Sequence, residues 1–353
     1  MESEAPPNRI VHARAGLGRR SGRSRRQQEK DLSRLGAILT AVTVAAAAGL
    51  AGCRSGPSAN KEYHALEVKY VEAAGVRLAY VEAGEGPPLV MLHGIMSSKY
   101  AWRKNIMPLA RYYHVIAIDS PGAGDSEKPP NIDYSPEGLA RIHLRALDAL
   151  GIRRATIVGN SLGGAVALAM ARDHPERVDK LVLVSPAGYP TATLNLPVET
   201  APILGEFLTP FYGDPVVALT WRDAVYNYDK VLDEDRLEMA RPMRSGAGKN
   251  ALLKKLRAVQ GDYFERFSKT IPKISTPAFI IWGYNDQILP VEHAFRYMRD
   301  MPKAWLMIVP ESGHRTQSEW PEIFNSAVVD FLLNGQRSTG GDKPRAAVRQ
   351  TPH

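Results

Sequence analysis

A single cysteine, Cys53, occurs in the 353 residues. An internal disulfide framework is therefore excluded. Charge of one sign is also scarce where the bulk of the chain lies. The formal net charge is +8, but residues 1–52 carry nine Lys/Arg against four Asp/Glu, and residues 335–353 carry four against one. Residues 53–334 are thus neutral overall, and the alkaline balance of the chain is no argument for nucleic-acid binding. No apolar run reaches the about 20 residues of a bilayer-crossing helix. The charge-free stretch from Leu35 to Leu50 has sixteen. No internal repeat, phosphate-binding glycine loop, dinucleotide fingerprint or metal-ligand cluster stands out, so no cofactor and no metal are expected.

What is present centres on Gly159-Asn160-Ser161-Leu162-Gly163-Gly164. The β-branched run Ala155-Thr156-Ile157-Val158 before it reads as a buried strand. The run from Ala165 to Ala171 behind it is rich in helix formers. A serine on a strand-to-helix turn between two glycines has the context of a nucleophile elbow. A Cβ at position 159 or 163 would crowd so sharp a turn. The hydroxyl would stand at a helix N-terminus, where developing negative charge is favoured. A plain glycine-rich turn with a capping serine is the simpler alternative.

A serine hydroxyl needs a base, and the base needs an orienting group. Two later apolar runs end in suitable residues. Ala278–Trp282 leads into Gly283-Tyr284-Asn285-Asp286, and Trp305–Val309 leads into Pro310-Glu311-Ser312-Gly313-His314. Both candidates fall just past a strand, at the edge where open α/β sheets place their sites. Together with the elbow, Trp282–Pro290 and Ser312-Gly313-His314 resemble the acid and histidine loops of the α/β-hydrolase superfamily. The resemblance runs from about Tyr70 to Leu333. It implies Ser161 as nucleophile, His314 as general base and then acid, and Asp286 as the orienting carboxylate. Asn285 and Glu311 are weaker competitors for the last role.

The same resemblance places the oxyanion-hole donors at the backbone N–H groups of Ile95, after His93-Gly94, and of Leu162. Met96 and Asn160 are candidate pocket walls. Asp119, in Asp119-Ser120-Pro121-Gly122-Ala123-Gly124-Asp125-Ser126, resembles a turn of the same superfamily and is read as structural. His93 is read as a loop-shaping residue, His174 as a helix end before proline, and His143 as a surface or interface residue.

The alternation of strands and helices predicts an α/β-hydrolase fold: a mostly parallel eight-stranded sheet with helices on both faces and a helical cap insertion. The cap is placed at about 187–272 within a domain at 67–334. Residues 1–52 read as an export signal, with a basic part, an apolar part and a small-residue end. Leu50-Ala51-Gly52-Cys53 resembles the lipobox of bacterial lipoproteins, which implies acylation of Cys53 and a membrane anchor in a bacterial cell envelope. An uncleaved N-terminal anchor is the alternative. Residues 53–66 read as a polar tether and 335–353 as a disordered basic tail.

The chemistry expected first is cleavage of small-molecule carboxylic esters, lipid or aryl, through an acyl-enzyme. Relatives of this fold that open epoxides or displace halide use an aspartate at the elbow, which argues against those activities. The elbow is also similar to that of hydrolases that cleave carbon–carbon bonds in aromatic ring-fission products. Those enzymes usually have a more glycine-rich oxyanion loop and a tryptophan after the histidine, whereas this chain has Ile95-Met96-Ser97-Ser98 and Arg315. A non-catalytic, ligand-binding version of the fold is the third reading. Oligomeric state is left open.

Overall fold

The computed structural model describes residues 57–191, 217, 221–231 and 233–337. The expected leader, Cys53 and most of the expected basic tail lie outside them. Eight strands form one sheet: β1 (Lys69–Ala73), β2 (Val76–Ala83), β3 (Pro88–Leu92), β4 (His114–Ile118), β5 (Ala155–Asn160), β6 (Val178–Val184), β7 (Ala278–Gly283) and β8 (Ala304–Val309). Their order across the sheet is β1-β2-β4-β3-β5-β6-β7-β8. β2 pairs antiparallel with β1 and with β4, and every other neighbouring pair is parallel. The expected α/β-hydrolase fold, with its mostly parallel eight-stranded sheet, is therefore present.

The central strands are apolar at nearly every position because both sheet faces are covered. Successive side chains point to opposite faces. Val90, Leu92 and Ile157 join one core, with α3 (Pro136–Ala149), α4 (Leu162–Asp173) and α8 (Glu292–Asp300). Leu89, Met91 and Val158 join the other, with α2 (Arg103–Ala110) and α10 (Pro321–Arg337). Ser135 starts α3 as a true N-cap, its Oγ accepting the Gly138 N–H at 3.1 Å. Gly151 follows that helix with φ +73°, a conformation that favours glycine.

Two expectations need correction. His143 is not a surface residue. It is fully buried on α3, which packs against α4, and its Nε2 lies 3.0 Å from Ser120 Oγ. The stretch read as a tether contains a helix, α1 (Pro57–His64), whose Tyr63 ring meets Tyr100 edge-on at 5.1 Å.

Between β6 and β7 the chain leaves the sheet. The described part of this insertion includes α5 (Asp233–Ala240), α6 (Gly246–Ala258) and α7 (Tyr263–Ser268). Trp221, Val225, Met243, Leu252 and Leu256 form a small core of its own, against which Ile95 and Met96 pack. Charge fastens it further. Arg103 of α2 makes a two-pronged, fully buried pair with Asp235 of α5. Arg241 Nη1 donates to Asp125 Oδ1 at 2.5 Å. Asp125 also accepts from Lys99 Nζ at 2.6 Å, and Lys99 in turn reaches Asp119 Oδ2 at 2.8 Å. Burial opposes ionisation of Asp125, but its bonds to Arg241 and Lys99 prevail and hold its carboxyl down at about 2.

A carboxyl held below its ordinary value stabilises the fold above that value and loses the contribution as pH falls through the folded one. Asp125→Asn is expected to cost about 1.5–3 kcal/mol at neutral pH, as for hydrogen bonds to charged groups. The gap to the wild type should narrow between about pH 4 and pH 2. Urea titrations of both proteins across that range check this. A gap that stays constant down to pH 2 contradicts the bridge.

Candidate active site

β5 runs straight into α4 with one residue between them, Ser161, whose φ of +55° and ψ of −119° belong to neither element. Sterics at this point forbid side chains on both sides. A Cβ on Gly159 would strike the backbone of Gly163 and Gly164, and one on Gly163 would strike the carbonyls of Leu92 and His93. Hydrogen bonds hold the strained residue in place. Its N–H donates to Val184 O at 3.0 Å, and its carbonyl accepts the N–H groups of Gly164 and Ala187 at 2.9 and 3.0 Å. The side chain is therefore fixed at the carboxyl edge of the sheet, beside the first turn of α4.

Asp286 and His314 follow β7 and β8, as the sequence predicts. Adjacent parallel strands bring their two loops together. His314 Nδ1 lies 2.8 Å from Asp286 Oδ2, and both side chains are buried. Asp286 Oδ1 accepts the backbone N–H groups of Ile288 and Leu289, each at 2.9 Å. With the carboxylate so anchored, His314 Nδ1 carries a proton and Nε2 is left as the basic nitrogen. Nε2 is buried and has no hydrogen-bond partner among the described residues. Ser161 Oγ is not yet bonded to it, an arrangement usual before substrate tightens such sites.

Asn160 links the end of β5 to β6 and to the histidine loop. Its amide nitrogen donates to Val184 O at 3.0 Å and to His314 O at 3.2 Å. That geometry makes it a positioning residue between β5, β6 and the histidine loop, and its nitrogen is committed to backbone. Met96 lines a small cavity with Ser97, Ala123 and Met243, in which none of Ser161, Asp286 and His314 takes part, and its φ of +53° marks a sharp turn after Ile95. Gly94 lies so close to Ser161 that an added Cβ would sit 3.0 Å from the serine Cβ. Ile95 thus follows directly on the residue that touches the elbow, and Leu162 is the first residue of α4.

His93 has the structural place expected for it. Its Nδ1 donates to Gly94 O at 2.8 Å and its Nε2 accepts the Ser120 N–H at 3.0 Å. Burial pushes its imidazole down to about 4, so it stays neutral near pH 7. Asp119 is fully buried and accepts from Lys99 N, Lys99 Nζ and Asp125 N, a structural role.

Glu319 is the participant that sequence reasoning missed. One oxygen accepts the Gly313 N–H at 2.8 Å; the other accepts those of Tyr226 and Asn227 at 3.0 and 2.9 Å. Burial raises its carboxyl, with these N–H groups opposing the rise. It ties the histidine loop to the insertion, as does the bond from His314 N to Ala224 O at 3.0 Å. Arg315 is buried with its guanidinium 4.9 Å from the Trp221 ring centre. Among the described residues, no group of three or more His, Cys, Asp or Glu is arranged to hold a metal ion. No described helix is long and apolar enough to cross a membrane.

The family model described as alpha/beta hydrolase fold matches residues 87–320. The chain belongs to this family. A 2-hydroxy-6-oxo-6-(2'-aminophenyl)hexa-2,4-dienoic acid hydrolase of Metapseudomonas resinovorans is 31% identical over 295 residues, 82% of this chain and 97% of that protein. A meta-cleavage product hydrolase of Pseudomonas fluorescens superposes with a TM-score of 0.65 at 29% identity, covering 76% of this chain and 98% of its own. A bacterial membrane phospholipase A superposes with a TM-score of 0.64 at 25% identity, covering 89% and 99%. In this chain the imidazole of His314 is paired with the carboxylate of Asp286, and Ser161 stands at the turn from β5 into α4.

Asp286→Asn is expected to leave the fold intact and to lower kcat by about 10⁴, the loss seen when a comparable orienting carboxylate is replaced. A p-nitrophenyl ester assay, with circular dichroism as the folding control, checks this. A loss below tenfold would remove Asp286 from the role.

Proposed function

We propose that this α/β hydrolase cleaves the carbon–carbon bond beside a ketone in substrates of the hydroxy-oxo-dienoate type, with Ser161, His314 and Asp286 as its machinery. The observation that carries the serine-hydrolase part is the oriented imidazole: His314 Nδ1 is anchored on Asp286, and Nε2 is buried with no hydrogen-bond partner among the described residues. The choice of bond is supported by relatives that act on such dienoates, two of them 31% identical over 82% and 73% of this chain. These findings favour the carbon–carbon reading over the ester reading that the sequence suggested first.

The chemistry suits the site. The hydroxydiene first takes its keto form, losing the hydroxyl proton and gaining one at the carbon beside the ketone. Ser161 Oγ adds to the ketone carbon while its proton passes to His314 Nε2. The carbonyl oxygen becomes an oxyanion facing the N–H groups of Ile95 and Leu162; one such donor contributes about 3 kcal/mol in comparable enzymes. Collapse breaks the carbon–carbon bond. Its electron pair runs through the unsaturated chain onto the keto oxygen as a dienolate, which takes the proton from His314. Water, deprotonated by His314, then releases the acid from Ser161. The insertion between β6 and β7 acts as the cap over this reaction, with Ile95 and Met96 packed against its core.

Ester hydrolysis is the second reading. It is favoured by Arg315 in place of tryptophan, by the Ile95-Met96-Ser97-Ser98 loop, and by the phospholipase likeness over 89% of the chain. A lipid anchor at Cys53 rests on Leu50-Ala51-Gly52-Cys53 alone.

Turnover of a phenyl-substituted hydroxy-oxo-dienoate, followed by loss of its visible absorbance, discriminates the two readings. The proposal predicts kcat/KM for the dienoate at least tenfold above that for the best member of a short-to-long p-nitrophenyl ester series. Ester turnover without dienoate turnover would overturn it in favour of the second reading.

A further inference from the structure

The sheet has two edges, β1 and β8, and they differ in chemistry. β1 carries Lys69 and Glu72, and charge on an edge strand discourages further pairing. β8 reads Ala304-Trp305-Leu306-Met307-Ile308-Val309, without charge, proline or glycine. Its register with β7 runs unbroken over all these residues, so no bulge turns the edge aside. Among the described residues, no strand pairs with its outer side. Only Val309 of this apolar strand is buried, and Trp305 is 50% exposed.

The ladder fixes which backbone groups are left over. The Ala278 N–H donates to Lys303 O, and the Tyr284 N–H to Val309 O. Odd-numbered residues of β8 therefore turn their backbone groups toward β7. Alternation leaves the N–H and C=O of Ala304, Leu306 and Ile308 facing outward. An uncharged edge with a row of free donors and acceptors is a template for another strand.

The flanking charges select that strand. Lys303 precedes β8 and Glu311 follows it, both exposed, and neither side chain makes an ion pair with any described residue. A strand that offers the same charges in reverse order is β8 of a second copy, run antiparallel. Backbone parity admits only registers in which outward residues face outward residues. The register centred on Met307 sets Leu306 opposite Ile308 and Lys303 opposite Glu311, each twice by symmetry.

We infer that β8 is an interface between two copies of this chain, joined antiparallel about a twofold axis at Met307. Leu306 of each copy exchanges backbone hydrogen bonds with Ile308 of the other, and the Ala304 N–H meets the Pro310 carbonyl. Trp305, whose ring lies 5.4 Å from that of Phe331 on α10, comes opposite Val309 on the same sheet face. The helix α10 thereby approaches its counterpart and widens the contact beyond the strands. The inference stands apart from the choice of substrate.

Sedimentation of the full chain at about 1–100 μM, the range of weak specific association, tests this. Leu306→Pro deletes an outward N–H and costs β8 none of its bonds to β7. Lys303→Glu sets like charges opposite each other. Each variant should raise the dissociation constant of the dimer at least tenfold, and Lys303→Glu combined with Glu311→Lys should restore it. A monomer at every concentration, association that both variants leave unchanged, or a charge swap that restores nothing overturns the inference. The axis has a test of its own in a Cys53→Ser background. Residues on the axis form a non-hydrogen-bonded pair about 4.5 Å apart at Cα, within reach of a disulfide. Met307→Cys should therefore link two copies on mild oxidation, and Leu306→Cys should not. The reverse pattern, or no link from either, overturns this register and the pairing of Lys303 with Glu311.

Discussion

The structure depends on one crowded point, the crossing from β5 into α4 at Ser161. A residue with φ +55° carries a cost of order 1–3 kcal/mol, and it persists only where its surroundings hold it. Here they do so on every side. Val184 accepts its N–H, Ala187 donates to its carbonyl, and the backbone of Leu92 and His93 presses against Gly163. Central parallel strands buried on both faces make that grip rigid. The sheet thus fixes one hydroxyl in space, and the rest of the site is arranged around it.

The second layer of organisation is the fastening of the β6–β7 insertion. Apolar packing of Trp221, Met243 and Leu252 sets it above Ile95 and Met96, and charge sets its register. The Arg103–Asp235 pair is fully buried, so its value lies in specificity more than in net stability, since desolvation offsets much of the attraction. Glu319 adds a tie of another sort, three backbone N–H groups drawn onto one carboxylate. It ties the loop that carries His314 to the insertion.

How much of this was legible in the sequence follows from how local each signal is. Ser161, Asp286 and His314 each sit at the end of an apolar run, and the parallel sheet does the rest by setting those ends side by side. The strands that lead to them were readable for the same reason. Glu319 gives no such sign: a glutamate in a short helix looks like surface, and only the folded chain brings Tyr226 to it. His143 was misread because an apolar period marks one helix face, while α3 is covered on two. Arg103, buried against Asp235, carries no sign of it in the sequence, because burial by a long insertion has no local signature. The ester expectation came from a serine with a base and an oxyanion hole, and the departures at Arg315 and in the Ile95 loop set the carbon–carbon alternative lower, although relatives similar over 82% and 73% of the chain are dienoate hydrolases.

The central claim is that the fold activates Ser161. The most direct measurement is reaction with a fluorophosphonate, read by intact mass and peptide mapping, beside Ser161→Ala. The account predicts one adduct, on Ser161, and none on the variant. A folded wild type that takes up no adduct, or a variant labelled as fast as the wild type, would contradict it.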